Sequence, residues 1–263
     1  MPGFCVLIPP AEGKASGGLE PNGHPHPFEG GFSCLRPARE ALYDRLLTVQ
    51  KSGVALDKLF GVRGKNLIDA IVANEQLAHG RVLPALDRYA PGIMYRSLDF
   101  ATLPPEVQTQ LLEHTLVFSG LFGLLRIDDL IPMYKLKMDA ILGTYGRVSD
   151  FWKPFLQPVL QAEMADKTVW DLLPTAHAAA WTDSGGYRYR VQVAFLEEKN
   201  GRRKTVSHGV KPLRGELIRY LAIHRLTVPT DLRYWIPEAG FQMDADATQT
   251  SSDGKRITLV FVK

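Results

Sequence analysis

A glycine-containing loop that carries a lysine follows the first apolar run of the chain. The run at residues 4–8 ends at Pro9-Pro10, and the residues that follow include Glu12, Gly13 and Lys14. Loops beyond the end of a buried strand commonly bind ligands in α/β folds, and a lysine there can contact a phosphate as a point charge. The GxxxxGK[ST] spacing of a P-loop is missing. The loop therefore fits either an anion site or an ordinary exposed turn.

Two further basic segments could also contact phosphates. Arg63 and Lys65 belong to a Gly-h-x-Gly turn predicted between two short helices, where a helix N-terminus would offer backbone N–H groups. The turn is similar to a helix-hairpin-helix DNA-binding element with one extra residue, and an ordinary interhelical turn is the alternative. Lys211 and Arg214 begin a later helix, after the basic hairpin tip at 199–204. They could present a cationic surface to phosphates, or simply a solvated one.

Four side chains are candidates for acid–base chemistry if the protein is an enzyme: Asp128, Asp129, His177 and His208. A helix cap or a turn is the alternative role for the two aspartates and is favoured for at least one of them, and no serine lies in a GxSxG nucleophile motif. His24 and His26 share a Gly/Pro-rich loop without matching Cys, Asp or Glu spacing. We therefore predict no metal site and no cofactor.

Composition limits the function classes only loosely. The chain has 263 residues and a formal net charge of +3, with a sequence pI near 8.8, which permits a basic face without establishing nucleic-acid binding. Its two cysteines make no disulfide framework. No leader pattern and no stretch of roughly 18 apolar residues is present, so we expect a cytoplasmic protein without a membrane span. The oligomeric state is left open.

The hydrophobic patterns predict a mixed α/β fold, a single domain over residues 1–263 with a mixed β-sheet. Predicted helices are residues 38–50, 66–79, 105–114, 151–164 and 212–225, with shorter pieces after Pro91-Gly92 and Pro174. Predicted strands are residues 4–8, 116–120, 168–173, 187–197, 203–208, 241–243 and 257–262. Asn200-Gly201 indicates a type I′ hairpin with a loop slightly longer than the tightest form.

Residues 119–138 combine an apolar run with a polar exit. Gly120 and Gly123 interrupt the apolar part, and glycines inside such a run usually mark a backbone bend or the close approach of another backbone or a ligand. The sequence SGLFGLLR at 119–126, followed by YKLKM at 134–138, resembles the SGLYG-x-LRP and YRLEM signature of the YaaA-type peroxide-stress family. IPPAEGK at 8–14 is similar to that family's LPPSEGK, and residues 207–215 are similar to its S-x-x-x-K-x-x-RG block.

The resemblance implies a single α/β fold with a helix-hairpin-helix element and a positively charged cleft. It also implies DNA binding and protection from peroxide stress by limiting iron-linked damage. Matching the motifs position by position gives the ligand-binding candidates Glu12, Lys14, Ser119, Arg126, Tyr134, Lys135, Ser207, Lys211 and Arg214, to which the helical turn adds Arg63 and Lys65.

The chain departs from the family pattern at several motif positions. Ala11 replaces a serine, Ile127 a proline and Lys137 a glutamate, and His177 lies where a Ser/Tyr block is usual. Two functions follow as the main hypotheses, and a purely structural or protein-interaction role is a third. One is a DNA-associated stress protein with a basic cleft for DNA or another phosphate-bearing ligand. The alternative is a divergent enzyme of specialised metabolism that acts on a small nucleotide-like, nucleobase-like or other metabolite.

Overall fold

The structure of the protein is a computed structural model that describes residues 3–20, 28–206 and 209–263. Its strands are β1 Phe4–Ile8, β2 Leu83–Pro84, β3 Thr115–Ser119, β4 Gly123–Arg126, β5 Leu130–Ile131, β6 Thr168–Asp171, β7 Tyr189–Lys199, β8 Arg202–Thr205, β9 Gln242–Thr250 and β10 Arg256–Val262. Its α-helices are α1 Arg36–Ser52, α2 Leu56–Phe60, α3 Lys65–Glu75, α4 Ala85–Tyr89, α5 Ile93–Leu98, α6 Pro105–His114, α7 Val148–Met164, α8 Thr175–Ala178 and α9 Val210–Ile223. No helix in these ranges is long and apolar enough to cross a membrane.

One mixed sheet organises the fold. Its order is β4-β3-β1-β6-β7-β10-β9, with β8 paired to the far end of β7, while β2 and β5 form a separate pair. The strands from β3 to β10 in this order are parallel, and β4 and β9 are antiparallel to their neighbours. All five residues of β1 are buried, as expected for a central strand of an α/β sheet. The predicted mixed α/β class is confirmed.

The parallel strands set the position of the loops that matter for ligand binding. Because β3, β1 and β6 run side by side in the same direction, their carboxyl ends lie at one edge of the sheet. β1 ends into the loop with Lys14, β3 ends at Ser119, and β6 leads through Pro174 into α8 with His177. Such an edge is the usual place for a ligand in this class of fold.

Two glycines let chain segments approach this edge closely. A Cβ built on Gly120 would lie 2.5 Å from the carbonyl oxygen of Leu136, so the segment 134–138 packs directly on the end of β3. A Cβ on Gly215 would lie 2.2 Å from the carbonyl oxygen of Met94, which presses α9 against α5. The close approach inferred for Gly120 is therefore confirmed, and Gly215 has the same role in the second motif.

Several element boundaries differ from the sequence-based ones. Lys199 pairs with Arg202, so Asn200 and Gly201 alone make the hairpin loop, with φ of 53° and 70°. The expectation of a longer loop was wrong, because both residues adopt the left-handed conformation that a two-residue type I′ turn needs. The strand β4 was not predicted. The expected turn between two short helices is present between α2 and α3, whereas its proposed role in binding DNA stays a prediction.

Candidate functional site

Two adjoining cavities lie at the carboxyl edge of the parallel strands. The first, of about 170 Å³, is lined by Lys14, Tyr134 and Lys135 and is called here the Lys14 cavity. The second, of about 340 Å³, is lined by Lys211 and Arg214 and is called the Arg214 cavity. They share a wall made of Pro10, Ala11, Glu12, Pro174 and His177. The two cavities together are called the strand-end cleft. Its walls come from the loops after β1 and β6, from segment 134–139, from the Pro91-Gly92 turn with α5, and from α9.

Lys14 lies against an aromatic surface in its cavity. Its Nζ is 4.4 Å from the ring centre of Tyr134 and 5.7 Å from that of Tyr89, and it donates a hydrogen bond to the carbonyl oxygen of Ala11 at 3.4 Å. Burial, aided by the charge of Lys135, lowers the pKa of Lys14 to about 7. A substantial neutral fraction of this amine therefore exists at physiological pH.

A chain of buried hydroxyl groups supports that aromatic surface. The hydroxyls of Tyr89 and Tyr134 share a hydrogen bond of 2.6 Å, and the Tyr134 hydroxyl shares another of 2.8 Å with Ser119 Oγ. Ser119 Oγ also accepts a hydrogen bond from the backbone N–H of Phe122 at 3.1 Å. Burial raises the pKa of Tyr134 to about 12, so the phenol stays neutral and the chain fixes the ring under Lys14.

The carboxylate of Glu12 forms ion pairs with two neighbouring lysines. Its carboxylate lies 3.2 Å from Lys137 Nζ and 3.9 Å from Lys135 Nζ. Burial acts to raise the pKa of Glu12, but the hydrogen bond from Lys137 and the charges of both lysines lower it overall. Lys137 also touches the α2–α3 turn, since a Cβ on Gly61 would be 2.9 Å from its Nζ. Glu12 therefore pairs with this lysine pair, and the Lys14 amine donates to a backbone carbonyl instead.

His177 contributes a neutral imidazole to the shared wall. It lies on α8, and its Nδ1 is buried without a hydrogen-bond partner among the described residues. Burial lowers its pKa to about 4, with Asp139 opposing and Arg214 adding to the effect. At neutral pH this side chain can form a hydrogen bond with a ligand but carries no charge.

Arg214 and Lys211 supply cations from α9. Lys211 is exposed and Arg214 is half-buried, and in the described part of the chain Arg214 makes no hydrogen bond or ion pair. Burial lowers the pKa of Arg214, with the charge of Asp171 acting in the opposite direction. Asp171 is itself held by Arg190 at 2.6 Å and Gln192 at 3.1 Å. The Arg214 guanidinium thus remains available to an anion in its cavity.

Arg126 is not brought to the cleft. It pairs with Leu116 near the start of β3, because β4 runs antiparallel to β3 and carries Arg126 to the opposite end of the sheet from Ser119. Its guanidinium is 2.7 Å from Glu163, donates to the carbonyl oxygen of Glu113 at 2.8 Å and lies 4.9 Å from the ring centre of Phe32. The motif that is continuous in sequence is therefore split between two ends of a hairpin.

Asp128, Asp129, Arg63 and Lys65 also lie away from both cavities. Asp129 accepts hydrogen bonds from the backbone N–H groups of Gly31 at 2.5 Å and Arg126 at 2.8 Å, which is the turn role considered for it. Asp128 is exposed, and Arg63 is exposed and 3.6 Å from Asp57. Lys65 is exposed at the start of α3. Ser207, His208, His24 and His26 fall outside the described residues.

Sequence reasoning missed two residues that shape the cleft. Tyr89 completes the hydroxyl chain, and the buried Arg88 donates to the carbonyl oxygens of Ala15, Gly17 and Arg81, which holds the loop that follows Lys14. Both end α4, just before the Pro91-Gly92 turn. No local pattern shows that this short helix faces a loop seventy residues earlier, so only the tertiary fold could reveal it.

Comparison with known proteins defines the family of this chain. The family model described as peroxide stress protein YaaA matches residues 4–247, and the chain belongs to that family. A UPF0246 protein of Streptomyces coelicolor is 32% identical over 255 residues, which cover 93% of each chain. A UPF0246 protein of Corynebacterium glutamicum is 30% identical over 84% of this chain and 85% of its own. An uncharacterized protein of Campylobacter jejuni is 32% identical over 62% of each.

Proposed function

We propose that the strand-end cleft binds a phosphate-bearing ligand, DNA or a smaller anion, as part of cytoplasmic protection from peroxide stress. The observation that carries this proposal is the convergence of basic side chains from distant segments. Lys14, Lys135, Lys137, Lys211 and Arg214 line the two cavities, whereas Glu12 and Asp139 are the carboxylates among the described lining residues. Arg and Lys beside glycine-containing loops can neutralise phosphate without reading bases.

The DNA arm of the proposal is tested by the salt dependence of duplex binding. Fluorescence anisotropy with a labelled duplex should show affinity that falls steeply with salt, because bound lysines and arginines release counterions. The double variant Lys211→Gln/Arg214→Gln should weaken binding and reduce the log–log slope by about 2. Lys255→Gln, an exposed lysine in the β9–β10 turn, is the matched control. Absence of any complex at low salt would exclude DNA as the ligand.

The same experiment separates the cleft from the α2–α3 turn. Arg63→Gln/Lys65→Gln removes two exposed charges from that turn without touching either cavity. A larger loss of DNA affinity in this variant than in Lys211→Gln/Arg214→Gln would assign DNA binding to the turn and leave the cleft for another ligand.

An enzyme acting on a small phosphate- or nucleobase-bearing metabolite is the second candidate function. The observation that favours it is the size and shape of the site, since cavities of about 170 and 340 Å³ suit a small molecule better than a duplex. The neutral His177 and the partly neutral Lys14 could move protons there. A thermal-shift screen with metabolites tests it, and a panel of nucleotides and sugar phosphates that leaves Tm unchanged would count against it.

A further inference from the structure

Lys14 combines three features that an ordinary phosphate-binding lysine lacks. Its Nζ packs on the rings of Tyr134 and Tyr89, its hydrogen-bond acceptor is the backbone carbonyl of Ala11, and the described residues give it no carboxylate partner. Glu12 pairs instead with Lys137 at 3.2 Å. Such desolvation does not help a lysine to bind an anion, because it disfavours the charged form of the amine.

The same environment activates an amine as a nucleophile. The lone pair of Nζ is available only when the group is neutral, and lysines become neutral when they are desolvated beside another cation. Here burial and the charge of Lys135 both act in that direction and bring the pKa of Lys14 to about 7. At neutral pH roughly half of such an amine carries its lone pair.

The surroundings of Lys14 define the ligand that it could attack. The Lys14 cavity, of about 170 Å³, suits a small molecule, and it shares a wall with the Arg214 cavity, whose lining includes the cations Lys211 and Arg214. His177 contributes a neutral imidazole to that wall, because burial holds its pKa at about 4. A reactive carbonyl carbon at Lys14 and a phosphate at Lys211 and Arg214 would satisfy both cavities.

We propose that Lys14 forms a reversible imine with a small aldehyde or ketone that bears a phosphate. This inference deepens the proposed phosphate-binding function and rests on it. The neutral Nζ adds to the carbonyl carbon, a C–N bond forms, and a proton passes from nitrogen to the former carbonyl oxygen to give a carbinolamine. That hydroxyl then leaves as water while nitrogen loses its second proton and the C=N bond forms. No electrons are gained or lost overall.

Reductive trapping tests the proposal on the full-length protein. Glyceraldehyde 3-phosphate is the probe, sodium cyanoborohydride reduces any imine to a stable secondary amine, and intact mass with peptide mapping locates the adduct. We expect one adduct per chain, on Lys14, at a rate at least tenfold above that of exposed lysines such as Lys58. Glyceraldehyde, which lacks the phosphate, should react at Lys14 at least tenfold more slowly.

Variants and a non-reactive analogue make the outcome decisive. Lys14→Arg keeps a charge but should abolish the adduct, whereas Lys58→Arg should leave it unchanged. Peptide mapping of the trapped wild-type protein identifies the reactive lysine even if the Lys14→Arg variant folds poorly. Calorimetry with glycerol 3-phosphate separates the two proposals. Binding of this analogue without a Lys14 adduct would overturn the imine and leave the phosphate cleft. Neither binding nor an adduct would overturn both the imine and a small phosphate as the ligand of the cleft, and the duplex titration would then decide on DNA. Adducts spread evenly over surface lysines would also overturn the imine.

Discussion

At the residue scale, the cleft depends on side chains whose ionisation is set by burial rather than by partners. Lys14, His177 and Tyr134 all have pKa values displaced toward the neutral form, mainly because they are removed from water. Glu12 differs from these three, because the hydrogen bond from Lys137 and the charges of Lys137 and Lys135 lower its pKa although burial acts to raise it. The cleft thus combines the neutral Tyr134 and His177 with charged side chains such as Lys135 and Glu12 near Lys14 and Lys211 and Arg214 in the adjoining cavity.

The hydroxyl chain under Lys14 should contribute measurably to stability. Tyr134→Phe keeps the ring but removes the group shared by Tyr89 and Ser119. We expect a loss of about 1–3 kcal/mol in the free energy of unfolding by urea, since a buried Tyr89 hydroxyl loses its partner. Tyr145→Phe, at a tyrosine that is 45% exposed, should change it by less than about 0.5 kcal/mol. Equal losses of unfolding free energy in the two variants would contradict a stabilising role for the hydrogen-bonded hydroxyl groups.

Lys14 should also give the protein a characteristic pH dependence of stability. Its pKa is about 7 in the folded protein against a usual value of 10.5, so the unfolded chain binds more protons between these two pH values. The penalty of burying Lys14 is therefore complete below pH 7 and is relieved as the pH rises through that window. Urea unfolding at pH 6.5 and 9 should show a smaller gain with pH in Lys14→Met than in Lys58→Met. An identical gain in both would contradict a desolvated Lys14.

At the element scale, the β3–β4 hairpin explains why part of the site was predictable from sequence and part was not. Residues 4–8 and 105–114 were predicted with the bounds that the structure has, because an apolar run and a Pro-Pro start are local signals. Arg126 was grouped with Ser119 by motif, yet antiparallel pairing separates them along the strands. Segment 134–138 returns to the β3 end only because Gly120 admits the backbone of Leu136. Such contacts between distant segments have no local sequence signal.

The contact between α5 and α9 should tolerate no side chain at Gly215. A methyl group there would lie 2.2 Å from the carbonyl oxygen of Met94 and 2.7 Å from Ser97 Cβ. Gly215→Ala should therefore cost about 1–3 kcal/mol in unfolding free energy, as overpacking does elsewhere. It should also weaken binding of glycerol 3-phosphate, because α9 carries Lys211 and Arg214. Gly3→Ala is the control, since its methyl would be in ordinary contact with Lys167 Cγ at 3.5 Å and Gly3 lines neither cavity. A Gly215→Ala protein as stable as this control would refute the close approach.

At the scale of the whole molecule, the sheet joins segments that are some two hundred residues apart in sequence. Lys14 follows the central strand β1, and Arg214 comes from α9, which is pressed onto α5 beside the same edge. Neither residue approaches the other through local structure, so the charge balance of the cleft is a property of the complete fold. A ligand that spans the cleft must therefore couple the two cavities energetically.

That coupling should appear as proton uptake when an anion binds. A phosphate bound at Lys211 and Arg214 adds negative charge to the cavity next to Lys14, which favours the charged form of Lys14 and raises its pKa above the value of about 7 in the ligand-free cleft. Calorimetric titration with glycerol 3-phosphate at pH 7.5, repeated in buffers of different ionisation enthalpy, should show uptake of up to about 0.8 proton per ligand, because about a quarter of Lys14 is already protonated at that pH. Arg214→Gln should weaken affinity but preserve the uptake, whereas Lys14→Met should abolish the uptake. Because the pKa of His177 is about 4, its imidazole is neutral at pH 7.5. It could take up the proton in place of Lys14 only if the ligand raised the pKa of His177 close to the pH of the titration. Binding enthalpies that do not depend on the buffer would show that the bound anion does not reach Lys14, and the two cavities would then function separately.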